Sequence, residues 1–161
     1  MKLVTTIFLL FIIPLHGYQT SNEIPELNQK ITSFVTQNIG KKIGRGECWD
    51  LAAQALNQVG ASWDGQYNFG RIINHKKDNI YPGDIIQFNK VKTLKKEQDE
   101  LIKGSYPVHT AVVYQIIRNG LIKMAEQNTS EFGKKVGISE FDIQSVISGK
   151  VTFYRPKTKD N

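Results

Sequence analysis

A single cysteine, Cys48, occurs in the 161 residues. That scarcity excludes an intramolecular disulfide, so its thiol is buried, paired with another molecule, or reactive. Histidine is nearly as rare, with three copies, His16, His75 and His109. No zinc-finger spacing and no RNA-binding aromatic motif occurs, and the lysines are scattered, so nucleic acid is not an expected partner. There is no internal repeat, no low-complexity tract and no linker. With 40% hydrophobic and 22% charged residues, the composition fits one globular domain with its own core rather than a disordered chain. No apolar run reaches the roughly 20 residues of a bilayer span, so an integral membrane protein is not expected.

The first residues, MKLVTTIFLLFIIPLHG, run from basic Lys2 through apolar Leu3 to Ile13, then Pro14 and Gly17. This pattern predicts a signal peptide over 1–17 and a secreted or periplasmic protein. Lys plus Arg number 21 against 15 Asp plus Glu, a formal charge of +6. Such an excess favours anionic partners such as wall polymers or lipid head groups.

Beyond the leader, YQTSNEIPEL predicts a helix start near Ser21 or Asn22 with Pro25 in the first turn. Ile24, Leu27, Ile31 and Phe34 or Val35 supply its apolar face. A second helix is predicted from Cys48 to about Val59, because Leu51, Ala52, Ala55, Leu56 and Val59 recur at helical spacing before Gly60. After SWDGQYNFG the period changes to two. YPGDIIQF feeds a strand over 84–88, HTAVVYQIIRNGLIKMAEQN reads as a hairpin with Asn119-Gly120 in a primed turn, and VTFYRP is a last strand. The charged segment VKTLKKEQDELIKGSY is predicted to be a short helix or a mobile loop, and KTKDN a frayed tail.

At a helix start, unsatisfied backbone N–H groups and the helix dipole favour a thiolate over a thiol, and the same N–H groups can stabilise an oxyanion. A nucleophilic Cys48 needs a base held in orientation. His109, opening a strand after a turn, is the best candidate; His75 sits among lysines in a loop. On the neighbouring strand, alternation places Glu126 and Asn128 on one face and Gln127 on the other. A carboxylate or amide there can accept the imidazole Nδ1–H, leaving Nε2 for the thiol proton. Trp63, Tyr67 and Phe69 are candidate substrate-groove walls, whereas Trp49 reads better as core.

The order of Cys48 at a helix start, a PGD turn into a strand, His109 in HTAVVY and then EQN resembles the CHAP amidase and peptidase domains, relatives of the NlpC-type papain-like enzymes. The resemblance covers about residues 40–156. It implies an α+β papain-like fold with N-terminal helices on an antiparallel sheet; outside it, residues 18–39 are expected to form a preceding helix and 157–161 a tail. It also implies Cys48 as nucleophile, His109 as base, Glu126 orienting the histidine, and Asn128 as a further polar member of the site. The implied activity is that of a secreted, monomeric cysteine amidase or peptidase cutting peptidoglycan. A non-catalytic binding module and a secreted effector deamidase or acyltransferase are the alternatives. Two departures stand out. Many CHAP enzymes carry glutamine before the cysteine where this chain has Glu47, an anion that would disfavour a nearby oxyanion. The calcium ligands of some phage members are absent too, since NIGKKIGRG supplies lysines and arginine and Asp50 alone cannot hold the ion; no metal or cofactor is expected.

Overall fold

A computed structural model describes residues 23–159; the leader-like segment 1–17 lies outside them. Helix α1 spans Glu26–Asn38 and α2 Cys48–Gln58, followed by strands β1 (Arg71–Ile73), β2 (Ile85–Glu97), β3 (Glu100–Arg118), β4 (Leu121–Glu126), β5 (Gly137–Asp142) and β6 (Val146–Arg155). The fold is α+β. Helix α1 begins later than its sequence predicts: Pro25 is the capping residue, with an extended ψ of 146°. A proline suits that boundary because it lacks the N–H that a helix interior would use.

The strands form one six-stranded sheet in the order β1-β6-β2-β3-β4-β5, with every neighbouring pair antiparallel. Ile31 and Val35 of α1 and Leu51, Ala52, Ala55 and Leu56 of α2 share one core cluster with Ile85, Val112 and Ala125 of the sheet. Full burial of side chains such as Leu51 and Leu56 stabilises the fold by about 1.5–3 kcal/mol each. The opposite face has its own core of Ile86, Phe88, Val113, Met124, Phe141 and Phe153. It is closed by curvature. Phe88 on β2 and Phe141 on β5 have ring centroids 5.0 Å apart, although two strands intervene and a flat sheet would separate them by about 14 Å.

The charged segment 91–106 is neither helix nor irregular loop. It extends β2 and β3 into a ribbon, paired from Val91↔Tyr106 to Glu97↔Glu100, with Gln98 at φ 52° in the two-residue turn. The lysines and glutamates of an exposed ribbon point to water while the backbone ladder supplies the order, so charge density was a poor guide. The Asn119-Gly120 turn is where its sequence predicts, but Gly120 alone of the pair takes positive φ, 82°. A primed turn needs positive φ at Asn119 as well. Strands β1 and β5 have no counterpart in the sequence reading.

The PGD turn holds the helical layer to the sheet. Asp84, with no exposed surface, accepts from Arg155 Nε at 2.7 Å and Nη2 at 3.0 Å and from Asn28 Nδ2 at 2.8 Å. At Gly83, φ is +86° and an added Cβ would meet the Asn28 carbonyl oxygen of α1.

Candidate active site

Three elements converge on a cleft of about 760 Å³ whose lining includes Cys48, Tyr106, His109, Glu126, Asn128 and Ser139. Cys48 is the first residue of α2 and is half-buried. The turn before it is fastened by Asp50, whose carboxylate accepts from the backbone N–H of Arg45 at 2.8 Å and of Glu47 at 3.2 Å. These bonds satisfy donors that a helix start otherwise leaves free.

His109 faces the curled side of the sheet, on the same side as its register partner Phe88. Its Nε2 lies 2.7 Å from Glu126 Oε2, so Nδ1 is the nitrogen left for the thiol. This reverses the ring assignment made from sequence. The carboxylate stands on β4 and reaches the distal nitrogen, while the sulfur comes from α2. Ser139 on β5 holds the other oxygen, donating its hydroxyl to Glu126 Oε1 at 2.5 Å. Register pairs Ser139 with Met124, two residues from Glu126 and therefore on the same face.

Each member of the pair biases the other toward its charged form. Burial pushes the Cys48 thiol up, but the His109 hydrogen bond, the backbone N–H groups of Thr110 and Trp49 and the imidazolium charge outweigh it and bring the thiol below its ordinary value. Burial pulls His109 down, whereas hydrogen bonds to Cys48 and Glu126 and their charges raise it from 6.5 to about 9. Both displacements favour the thiolate–imidazolium pair over the neutral thiol and imidazole. Burial and the Glu126 charge also hold the neighbouring Tyr106 hydroxyl above its usual range, keeping it neutral.

Asn128 is not a continuation of the strand. β4 ends at Glu126, and Asn128 turns into the left-handed region at φ 62°, a conformation asparagine tolerates well. Its Nδ2 donates to Glu47 Oε2 at 2.7 Å, and Lys134 Nζ is 3.3 Å from Glu47 Oε1. The Glu47 carboxylate is thus compensated by a cation and an amide rather than left as a bare anion beside the sulfur.

The three aromatics expected on a groove wall lie away from the cleft. Phe69 is fully buried and stacks on Trp63 at 5.9 Å, so it cannot touch substrate. Trp63 packs against the same core and donates to Asn57 Oδ1 at 2.9 Å. Tyr67, 53% exposed, meets Phe69 edge-on at 6.3 Å. Hydrophobic burial drew Phe69 and Trp63 to the core shared with α2, and left Tyr67 on the surface. Trp49 joins that core, 5.5 Å from Trp63. A larger groove of about 1020 Å³ contains His75, Lys76 and Lys77, but none of the cysteine, histidine and glutamate set. Among the described residues no cluster of metal-ligating side chains occurs. Ser139 and the buried Gln127 escaped sequence reasoning; an uncharged polar residue on the core-facing side of a strand was the signal for the latter.

A cysteine at a helix start facing a strand histidine on a curled antiparallel sheet defines a papain-like cysteine-proteinase fold. Residues 22–160 match the family model described as the AIM3/BBC1 cysteine proteinase-fold domain, and the chain belongs to that family. A curated relative, "Altered inheritance of mitochondria protein 3" of Debaryomyces hansenii, is 29% identical over 164 residues, covering 84% of this chain. The chain spans about 18% of that relative's length. Two solved structures share the fold at TM-score 0.50 and 14% identity, "The crystal structure of Ly7917" and the same protein "with the hydrolyzing product of MDP". They cover 79% and 80% of this chain, which in turn covers 62% of each.

These matches overturn the peptidoglycan reading. Peptidoglycan is a bacterial polymer, whereas the matched relative is a yeast protein named for mitochondrial inheritance and the family model is named for the AIM3/BBC1 proteins. A secreted or periplasmic wall enzyme, a peptidoglycan or wall-polymer partner and a secreted effector role are corrected accordingly. No helix of the described residues is long and apolar enough to cross a membrane.

Proposed function

We propose that this domain is a thiol-dependent hydrolase acting on an amide bond of a polypeptide, with Cys48 as nucleophile, His109 as acid and base, and Glu126 orienting the imidazole. The observation that carries the reading is the 2.7 Å contact of His109 Nε2 with a carboxylate, which leaves Nδ1 to the single cysteine. The order of blocks further supports a CHAP-like arrangement within the papain-like class.

In the first half-reaction the Cys48 thiolate attacks the carbonyl carbon, and the resulting oxyanion develops beside the backbone N–H of the α2 start. The imidazolium gives its Nδ1 proton to the leaving nitrogen, the carbon–nitrogen bond breaks, and a thioester and an amine result. Neutral His109 then takes a proton from water as its oxygen attacks the thioester. Collapse releases the carboxylic acid and regenerates the thiolate, with the proton back on His109. Glu126 stabilises the imidazolium at both stages, and Ser139 keeps the carboxylate from rotating away.

A library of peptide aminomethylcoumarin amides, offered to the chain and to Cys48→Ala, tests the proposal. Release of fluorophore is expected from the unmodified chain alone. Equal release from Cys48→Ala would sink the reading.

A further inference from the structure

We propose that Gln127 is a positioning residue that places the nucleophile, its amide clamping the turn before α2 so that Cys48 meets His109. The inference rests on the hydrolase reading for its purpose and on separate geometry for its substance. Gln127 is fully buried and spends its amide on one stretch of backbone. Its Oε1 accepts the Ile43 N–H at 3.2 Å, and its Nε2 donates to the Ile43 carbonyl at 3.0 Å and the Glu47 carbonyl at 2.7 Å. The Glu47 carbonyl also receives the Asp50 N–H at 3.0 Å, the first bond of α2. Gln127 therefore grips the peptide unit that joins directly to Cys48.

Its neighbours explain why the grip bears on the chemistry. Glu126 holds His109 and Asn128 holds the Glu47 side chain. Glu126 at the end of β4 and the two residues that follow it thus fix the imidazole, the backbone before the sulfur, and the Glu47 side chain. Opposite orientations of Glu126 and Gln127 place one carbonyl-directed amide under the helix start and one carboxylate under the histidine. All three of its hydrogen bonds go to the backbone of Ile43 and Glu47, in the turn that leads into Cys48.

Because Cys48 is the only cysteine, alkylation by iodoacetamide reports its thiolate alone. The titratable groups around it are His109 and Glu126 from the sheet, Glu47 with Lys134, Asp50 with Arg45, and Tyr106, Glu131 and Glu140 along the cleft. The experiment measures alkylation rate against pH for the full chain, Gln127→Leu, Gln127→Asn and Val35→Ala. The last opens a core cavity in α1, away from the site, and controls for lost stability. Gln127→Leu is expected to move the alkylation midpoint up by about one pH unit and slow the neutral reaction about tenfold. Gln127→Asn, with the same amide one methylene short, should show a smaller shift in the same direction; it carries the test if the leucine variant does not fold. Val35→Ala should lower Tm and leave the profile in place. A parental profile in a folded Gln127 variant, or a change that Val35→Ala reproduces at equal Tm, overturns the inference. Failure of the hydrolase reading looks different: altered profiles in the Gln127 variants with no amide turned over by the unmodified chain.

Discussion

Glu126→Gln removes one negative charge from the site while keeping the length of the side chain and two polar atoms for His109 and Ser139. His109 titrates at about 9 against an ordinary 6.5, with burial opposing the elevation and the hydrogen bonds and charges of Cys48 and Glu126 producing it. That elevation corresponds to about 3 kcal/mol in favour of the imidazolium. Glu126 supplies two of the four favourable contributions, and the burial that opposes them survives the substitution. The variant should therefore titrate roughly one to two pH units lower. The sign carries to activity. In the proposed mechanism the imidazolium is the acid that protonates the leaving nitrogen, so the alkaline limb of kcat/KM follows its pKa and moves down from about 9. Rate at neutral pH should fall by about 100-fold, the lower end of the range for acid and base catalysis. Proton NMR of the imidazole Cε1–H resonances against pH measures the shift directly, with His75→Gln assigning one of the other histidines. An unchanged His109 midpoint would refute the claim that Glu126 holds its charge, whatever happened to turnover.

Ser139→Ala leaves Glu126 Oε1 without the hydroxyl that donates to it; a charge-assisted bond of this kind contributes about 1.5–3 kcal/mol. Activity should drop about tenfold with the pH profile displaced less than in Glu126→Gln, read from kcat/KM across pH. Asp84→Ala strands Arg155, whose side chain is only 13% exposed, and should cost about 3–5 kcal/mol in denaturant unfolding while Cys48 alkylation keeps its profile. Gly83→Ala drives a Cβ into the backbone of α1 at Asn28, so Tm should fall sharply; an unchanged Tm would mean that α1 does not sit on the PGD turn. Lys134→Ala uncovers the Glu47 carboxylate on one side and should slow turnover with a loss that shrinks at high salt, since half-exposed pairs are screened.

Helix α2 was legible because Leu51, Ala52, Ala55 and Leu56 repeat at helical spacing and all enter one core. The grouping of Cys48, His109 and Glu126 in one cleft was legible because the proposed roles of nucleophile, base and orienting acid demand residue types that few positions of this chain could satisfy. Three features were hidden for physical reasons. The ribbon of β2 and β3 carries its order in backbone hydrogen bonds, which charged side chains do not advertise. The aromatic run 63–69 looked like a groove lining because composition cannot tell which side of a helix a ring will pack beneath. The ring nitrogen that faces the acid depends on the side of the imidazole from which β4 approaches, and that is a property of sheet curvature rather than of local sequence.

The end of β4 carries a stricter demand than any of these. Side chains alternate along a strand, so a one-residue slip in the pairing of β4 with β3 and β5 would turn Glu126 to the opposite face of the sheet. A slip that brought Gln127 to the place of Glu126 would stand an amide beside His109, able to accept its N–H but not to balance its charge, and would move Gln127 off the carbonyl oxygens of Ile43 and Glu47, which need a donor. Both contacts would be lost at once. The isolated bridge of Ile39 to Val136 and the pairing of Glu126 with Gly137 anchor this register from the side of β5. The Val112↔Ala125 pair anchors it from β3. The reactivity assigned to Cys48 therefore depends on strand register as much as on the helix that carries it, because the residues that hold sulfur and imidazole are neighbours whose side chains point opposite ways.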